Sequence, residues 1–142
     1  MTYYPDLSTC SYFESSDKLV AVGWLDERHP FDRGAVSAQF VDKLAALLRG
    51  AWELMVFCGP HFCPYCPPSN GLRFGGSRNL FIPGEHCVYV APELIQHYIS
   101  NHEYKPPEEF VRAVERCPEM NSKEYFSGLA RFGIQGEAPP WA

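Results

Sequence analysis

The stretch of residues 58–66, with the sequence C-G-P-H-F-C-P-Y-C, most constrains how this chain can fold. It holds three cysteines and one histidine, and it opens a Gly- and Pro-rich segment that continues to Gly76. Regular secondary structure is unfavourable in this segment because proline lacks a backbone N–H and glycine loses much entropy on ordering. Loops of this length are usually functional or disordered, and the clustered cysteines favour a function.

Composition predicts one ordered domain over residues 1–142. Apolar residues make up 46% of the chain and aromatic residues 15%, which is enough to bury a core without disulfides. The net charge of −5 comes without a basic stripe. We therefore expect neither a nucleic-acid partner nor binding to an anionic membrane surface.

The beginning of the chain, M-T-Y-Y-P-D-L-S-T-C, lacks the basic and apolar regions of a secretory signal. The chain also contains no apolar run long enough to span a bilayer. The expected location is therefore the cytoplasm, where thiols stay reduced. Clustered cysteines in that compartment bind metals or carry out redox chemistry more often than they form structural disulfides.

Hydrophobic runs and turn residues predict an α+β fold with a small, mostly antiparallel sheet and a long metal-binding loop. Residues 19–25 form an apolar run that predicts a buried strand, and Gly23 within it indicates a bulge or a close backbone approach. Residues 52–58 predict a second strand. Two short strands, at 79–83 and 87–90, flank a P-G-E-H turn and predict a hairpin.

Three to four helices are expected. Ser37 is a suitable N-cap for a helix over residues 38–49, in which apolar residues recur on one face, and Gly50 is a suitable stop. Prolines at first-turn positions predict further helices that begin at Pro92 and at Pro106-Pro107. A last helix is predicted over residues 122–131.

The Cys63-x-x-Cys66 pair has the spacing of a zinc knuckle, in which two thiolates bind one ion from a tight turn. His61, two residues upstream, could supply a third ligand. A tetrahedral zinc ion then needs a ligand from elsewhere, and the candidates are Cys58, His86, Cys87, His97 and His102. On the helix after Pro92, His102 projects near the middle of the apolar face and His97 onto its flank. The alternative is that the cysteines of this segment are ordinary buried or surface thiols in a Pro-rich loop. Cys10 and Cys117, elsewhere in the chain, are also interpreted as ordinary thiols.

Three other chemistries have partial support. C-P-Y-C after an apolar strand is similar to a glutaredoxin active site, but Pro67-Pro68 disfavours the helix that lowers the pKa of the first thiol. An open zinc site could activate water with Glu85 or Glu93 as the base, although the chain lacks an H-E-x-x-H motif. Residues 75–79, G-G-S-R-N, could form an anion-binding nest, but a flexible approach to the hairpin is favoured.

Several segments resemble a family of uncharacterised bacterial proteins that is common in myxobacteria and is known only as a domain of unknown function. They are T-Y-Y-P-D-L-S-x-C-x-Y-F at 2–13, V-G-W-L-D-x-x-H-P-F at 22–31, G-x-H-x-C-x-x-C at 59–66, R-N-L-F-I-P-G at 78–84, Y-V-A-P-E-L-I-x-H-Y-I at 89–99 and H-x-Y-x-P-P-x-x-F at 102–110. The resemblance covers nearly the whole chain and implies a single-domain bacterial protein. It implies no activity.

The family pattern includes His61, Cys63, Cys66, His97 and His102, whereas Cys58 and Cys87 lie outside it. The resemblance therefore implies that His97 or His102 completes the site. Our expectation is a structural zinc site in a protein-interaction or regulatory domain. The alternatives are a metalloenzyme with an open zinc position that acts on a small molecule and, less favoured, a thiol redox protein that uses Cys63 and Cys66.

Overall fold

The computed structural model describes residues 3–10, 18–53, 61–67 and 75–136 of the chain. Its strands and helices confirm the predicted α+β class. The described strands are β1 (Leu19–Ala21), β2 (His61–Phe62), β3 (Gly75–Gly76), β4 (Asn79–Pro83) and β5 (Val88–Pro92). The described helices are α1 (Ala38–Arg49), α2 (Leu94–His102), α3 (Glu108–Arg116) and α4 (Lys123–Ala130).

A three-stranded mixed sheet with the order β1-β5-β4 lies at the centre of the fold. Strands β4 and β5 form the predicted antiparallel hairpin, whose turn is closed by a 2.8 Å hydrogen bond from the Gly84 N–H to the Cys87 carbonyl. Strand β1 pairs with β5 in parallel. The sheet ladder extends β5 through Pro92, so this proline ends a strand, contrary to its predicted place in the first turn of α2.

Both faces of this sheet are buried, because successive side chains of a strand point to opposite faces. In β4, Leu80 and Ile82 join the core formed with α1, α2 and α3. Phe81 points the other way, into a second core that includes Tyr125 of α4. The Tyr125 hydroxyl also donates a 2.6 Å hydrogen bond to the Phe81 carbonyl. No helix in the described ranges is long and apolar enough to cross a membrane.

Gly23 follows β1 and brings the chain against the side chain of Ile95 in α2, whereas the sequence indicated a bulge or the close approach of another backbone. Its φ of +83° lies in the left-handed region, and a Cβ there would lie 2.9 Å from Cδ1 of Ile95. The Gly23 N–H donates a 2.9 Å hydrogen bond to Oδ1 of Asp6. The predicted strand over 19–25 therefore ends early, at Ala21, because the chain turns to make this close approach.

Helix α1 has the predicted bounds. The Ser37 side chain caps it by accepting a 3.1 Å hydrogen bond from the Phe40 N–H, and the apolar face of the helix packs on α3, where the rings of Phe40 and Phe110 meet edge to face. Of the strand predicted at 52–58, residues 54–58 lie outside the described part of the chain, and Trp52 and Glu53 belong to no described strand.

Candidate metal centre

The two cysteines of the C-x-x-C motif lie in a tight turn that follows β2. Strand β2 pairs with β3 in antiparallel fashion, with His61 opposite Gly76 and Phe62 opposite Gly75. This pairing requires glycine at position 75, because a Cβ there would lie 2.6 Å from the His61 carbonyl oxygen. Cys63 is 1% exposed and Cys66 is half-buried. The paired strands β2 and β3 therefore hold a turn whose two cysteine sulfurs face the interior.

Helix α2 supplies two imidazoles to the same place. His97 is buried at 7% exposure, and His102 is the last residue of the helix. The next residue, Glu103, adopts a left-handed conformation with φ of 59° and ends the helix. The rings of His97 and His102 have centroids 4.9 Å apart and are nearly perpendicular, at 77°.

Four ligand atoms, one from each of Cys63, Cys66, His97 and His102, lie within 4.8 Å of one another. The Nε2 atoms of the two histidines are 3.2 Å apart. The Cys66 sulfur lies 3.2 Å from Nε2 of His97 and 3.4 Å from Nε2 of His102. The Cys63 sulfur is also 3.4 Å from Nε2 of His102.

Four of the six separations between the ligand atoms are close to those of a tetrahedral zinc site. Zn–N bonds of about 2.05 Å and Zn–S bonds of about 2.3 Å at tetrahedral angles place two nitrogens about 3.3 Å apart and a nitrogen and a sulfur about 3.6 Å apart. The observed values of 3.2 Å for the nitrogen pair and 3.2–3.4 Å for the mixed pairs are close to both.

Hydrogen bonds alone do not account for this arrangement. Nε2 of a neutral imidazole carries either one N–H or one lone pair in the ring plane. Nε2 of His102 nevertheless has three neighbours within 3.4 Å, namely both sulfurs and the other imidazole. One cation between the four atoms satisfies all of them at once, so the group could hold a metal ion.

Burial favours the neutral forms of Cys63 and His97. Desolvation is the main reason that the pKa of the Cys63 thiol is raised. Desolvation is likewise the main reason that the pKa of His97 is lowered, with a smaller contribution from His102. The imidazole is therefore held in the neutral form that binds metals, whereas the thiol has to lose a proton when an ion binds.

Aromatic rings pack around the group. Tyr65, in the turn between the two cysteines, lies with its ring centroid 5.3 Å from that of His102. Tyr98 lies 6.0 Å from Tyr65 in an edge-on arrangement, and Phe31 lies edge-on to Tyr65 at 5.4 Å. Cys63 and His97 are buried, and Cys66 and His102 are half-buried. Surrounding rings of this kind control the access of solvent to a metal site.

The other residues proposed from the sequence lie elsewhere. His61 is not one of the four clustered residues. It lies in β2 with its ring edge-on to Trp24 at 6.2 Å, and burial lowers its pKa. His86 is exposed in the β4–β5 turn and Cys87 is half-buried beside it. Cys58 lies outside the described residues. The remaining thiols, Cys10 and Cys117, are buried in the core.

In the segment proposed as an anion-binding nest, backbone N–H groups are hydrogen-bonded to the protein's own carboxylates. Oε1 of Glu93 accepts hydrogen bonds from the N–H groups of Ser77 and Arg78, at 2.7 and 3.3 Å. Oε1 of Glu53 accepts a 2.8 Å hydrogen bond from the Asn79 N–H. These N–H groups are consequently committed within the fold and do not form a phosphate site.

The fold and the site together define a small α+β protein with a Cys2His2 cluster that could bind a metal ion. The family model described as "Domain of unknown function (DUF7919)" matches residues 2–115, and the chain belongs to this family. This confirms the expected membership of an uncharacterised domain family. All four clustered residues lie within the matched region, whereas α4 lies beyond it. No curated protein and no solved structure matches the chain.

One sequence signal could have selected the four residues without the structure. His97 and His102 are separated by four residues, and a C-x-x-C pair followed by two histidines at this spacing is a known zinc-ligand pattern. Sequence reasoning named all four of these residues, but it also included His61 because His61 is close to Cys63 along the chain, and it left open whether His97 or His102 is the ligand. The carboxylate contacts of Glu93 have no recognisable sequence pattern.

Proposed function

We propose that the protein binds one Zn²⁺ ion through Cys63, Cys66, His97 and His102, and that the ion has a structural role. The observation that carries this proposal is the convergence of four ligand atoms within 4.8 Å. The ion would join the turn after β2 to helix α2. It would thereby hold residues 63–66 against α2 and the sheet.

The donor set favours zinc over the common hard cations. Two thiolates and two imidazoles form the mixed sulfur and nitrogen set that is typical of structural zinc. Calcium and magnesium prefer oxygen ligands and larger coordination numbers, and the group contains no carboxylate. The two thiolates also require a reducing compartment, so the proposal includes a cytoplasmic location.

The number of ligands supports a structural role over catalysis. A catalytic zinc ion keeps one position open for water, whereas four protein ligands close a tetrahedral site. Of the carboxylates considered as a base, Glu93 is bound to backbone N–H groups, and Glu85 is exposed beside Arg116. Neither carboxylate belongs to the cluster.

The thiol redox alternative has less support. A redox-active first cysteine needs a lowered pKa, which a helix N-terminus usually supplies. Burial instead raises the pKa of Cys63, and residues 63–67 form a turn with no helix. A protonated, buried thiol is a poor nucleophile.

We further propose that the surface around Phe62, which the zinc ion would stabilise, binds a protein partner. Phe62, which immediately precedes Cys63, is 39% exposed and is one of two large apolar side chains with this degree of exposure among the described residues. Since β2 leads directly into the zinc turn, the ion would also fix the position of this ring. An exposed aromatic side chain on a fixed element is typical of interface anchors.

Metal analysis of the purified protein tests the zinc assignment. Protein prepared under reducing conditions without chelator should contain about one zinc per chain, as expected for a four-ligand site. Cys66→Ser and His97→Asn should lose most of this zinc. The matched controls Cys87→Ser and His86→Asn, which change residues outside the group, should retain it. If the wild-type protein lacks zinc and its metal-free form takes none up, the proposal is wrong.

A further inference from the structure

Glu93 connects the two halves of the metal centre through three hydrogen bonds, two accepted by its side chain and one donated by its backbone. Its carboxylate oxygen Oε1 accepts the N–H of Ser77 at 2.7 Å and that of Arg78 at 3.3 Å. Its own backbone N–H donates to the Arg78 carbonyl at 2.9 Å. We call these three contacts the Glu93 clasp. The clasp fixes the residue before α2 against the segment that follows β3.

Gly76 makes room for the clasp. A Cβ atom at this position would overlap the carboxylate group of Glu93, with Oε1, Cγ and Cδ as its nearest neighbours. Only glycine therefore allows the side chain of Glu93 to reach the two N–H groups. The carboxylate is half-buried there and is hydrogen-bonded to backbone donors, which is a charge-assisted and comparatively strong contact.

The two sides of the clasp lead directly to the two ligand pairs. On one side, β3 pairs with β2, and β2 runs into Cys63 and the turn that contains Cys66. On the other side, Glu93 precedes α2 and lies one turn before His97. Glu93 and His97 also line the same cavity of about 330 Å³. The clasp thus links the strand pair next to the cysteine turn directly to the helix that carries the two histidines.

We propose that Glu93 is a positioning residue for the metal centre, because its clasp holds the cysteine turn and helix α2 at their binding distance before an ion arrives. This inference rests on the proposed zinc function. Groups outside the ligand shell that orient ligands typically change metal affinity by about 10–100-fold when they are lost. Glu93 would act in this way without touching the ion.

Three substitutions separate the reach of the side chain from its charge. Glu93→Gln keeps the length and an acceptor oxygen but loses the charge. Glu93→Asp keeps the charge but is shorter by one methylene and cannot reach both N–H groups. Glu93→Ala removes the acceptor. The control is Ser100→Ala, which changes an exposed residue of α2 that lines the same cavity.

The measurement is a competition titration of the metal-free variants with Zn²⁺ against a chromophoric chelator. Glu93→Ala and Glu93→Asp should bind zinc about 10–100-fold more weakly than the wild type. Glu93→Gln should retain most of the affinity, and Ser100→Ala should equal the wild type. The visible spectrum of the Co²⁺-loaded variants should be unchanged, because the four ligands remain. Either Glu93→Asp or Glu93→Ala is sufficient for the test if the other does not fold.

Two results overturn the inference while leaving the zinc site intact. Wild-type affinity in both Glu93→Asp and Glu93→Ala would show that the clasp does not position the ligands. An altered Co²⁺ spectrum in Glu93→Gln would show that Glu93 is itself a ligand. Failure of the wild-type protein and of Ser100→Ala to bind zinc would instead reject the proposed function, and with it the inference.

Discussion

Linkage between zinc binding and folding gives the sharpest quantitative prediction. A ligand that binds only the folded state stabilises it by an amount that grows with the logarithm of free ligand concentration. In this protein the ion would bring together residues 63–66 and 97–102, which the unfolded chain keeps far apart. The melting temperature should therefore depend on free zinc, and the slope can be calculated.

The slope follows from chain length. Unfolding entropy near 60 °C is about 2.1 cal/mol/K per residue, which for 142 residues is about 0.3 kcal/mol/K. Each tenfold rise in free zinc above the dissociation constant adds about 1.4 kcal/mol to the free energy of unfolding. The melting temperature should then rise by about 4–5 °C for each tenfold increase in free zinc.

Calorimetry in zinc buffers spanning three decades of free metal measures this slope directly. The wild type and Cys87→Ser should both show it. Cys66→Ser, which lacks one of the four ligands and should bind zinc more weakly, should show this rise only from a higher free-zinc concentration. Chelated protein should still unfold cooperatively, because most of the two buried cores is built from residues that do not contact the metal centre.

A melting temperature that stays constant across the zinc series would refute the linkage argument, provided that metal analysis shows a bound ion. A rise in Cys66→Ser that begins at the same free-zinc concentration as in the wild type would place the zinc at other residues. Loss of the slope in Cys87→Ser would have the same meaning, because Cys87 lies outside the cluster.

Three further predictions concern stability. Gly23→Ala should lower the free energy of unfolding by about 1–3 kcal/mol, measured by urea denaturation, because of its positive φ and its contact with Ile95. Tyr125→Phe should cost about 1–3 kcal/mol in the same assay, since it removes the buried hydrogen bond to the Phe81 carbonyl. Burial raises the pKa of Cys117 from 9.0 to about 11. Below pH 9 this thiol is protonated in both the folded and the unfolded state. Between pH 9 and 11 the unfolded state loses its proton first. The free energy of unfolding should therefore fall by about 2–3 kcal/mol more in the wild type than in Cys117→Ala over this range.

Each of these predictions has a clear contrary result. Unchanged stability in Gly23→Ala would mean that the chain does not need the left-handed conformation. Unchanged stability in Tyr125→Phe would mean that the carbonyl finds another donor. Parallel pH profiles for the wild type and Cys117→Ala would mean that this thiol titrates alike in the folded and unfolded states.

Local elements followed closely from local signals. Helix α1 has its predicted bounds because the Ser37 cap, the apolar face and the stop at Gly50 all lie within a few residues of the helix. The β4–β5 hairpin was predicted for the same reason. The error at Pro92 arose where the sheet ladder continued through a residue that would also suit the first turn of a helix.

Residue types and spacing were enough to indicate a site with two thiolates from a C-x-x-C turn and an imidazole from α2, because ligand chemistry is local. The choice of partners was not local. Cys66 and His97 are 31 positions apart yet in contact at 3.2 Å, and they meet because β2–β3 pairing and the Glu93 clasp bring their segments together. His61, nearer along the chain, is directed toward Trp24 instead. The separation of two residues along the chain says little about whether their side chains come into contact, since such contacts depend on how separate elements pack.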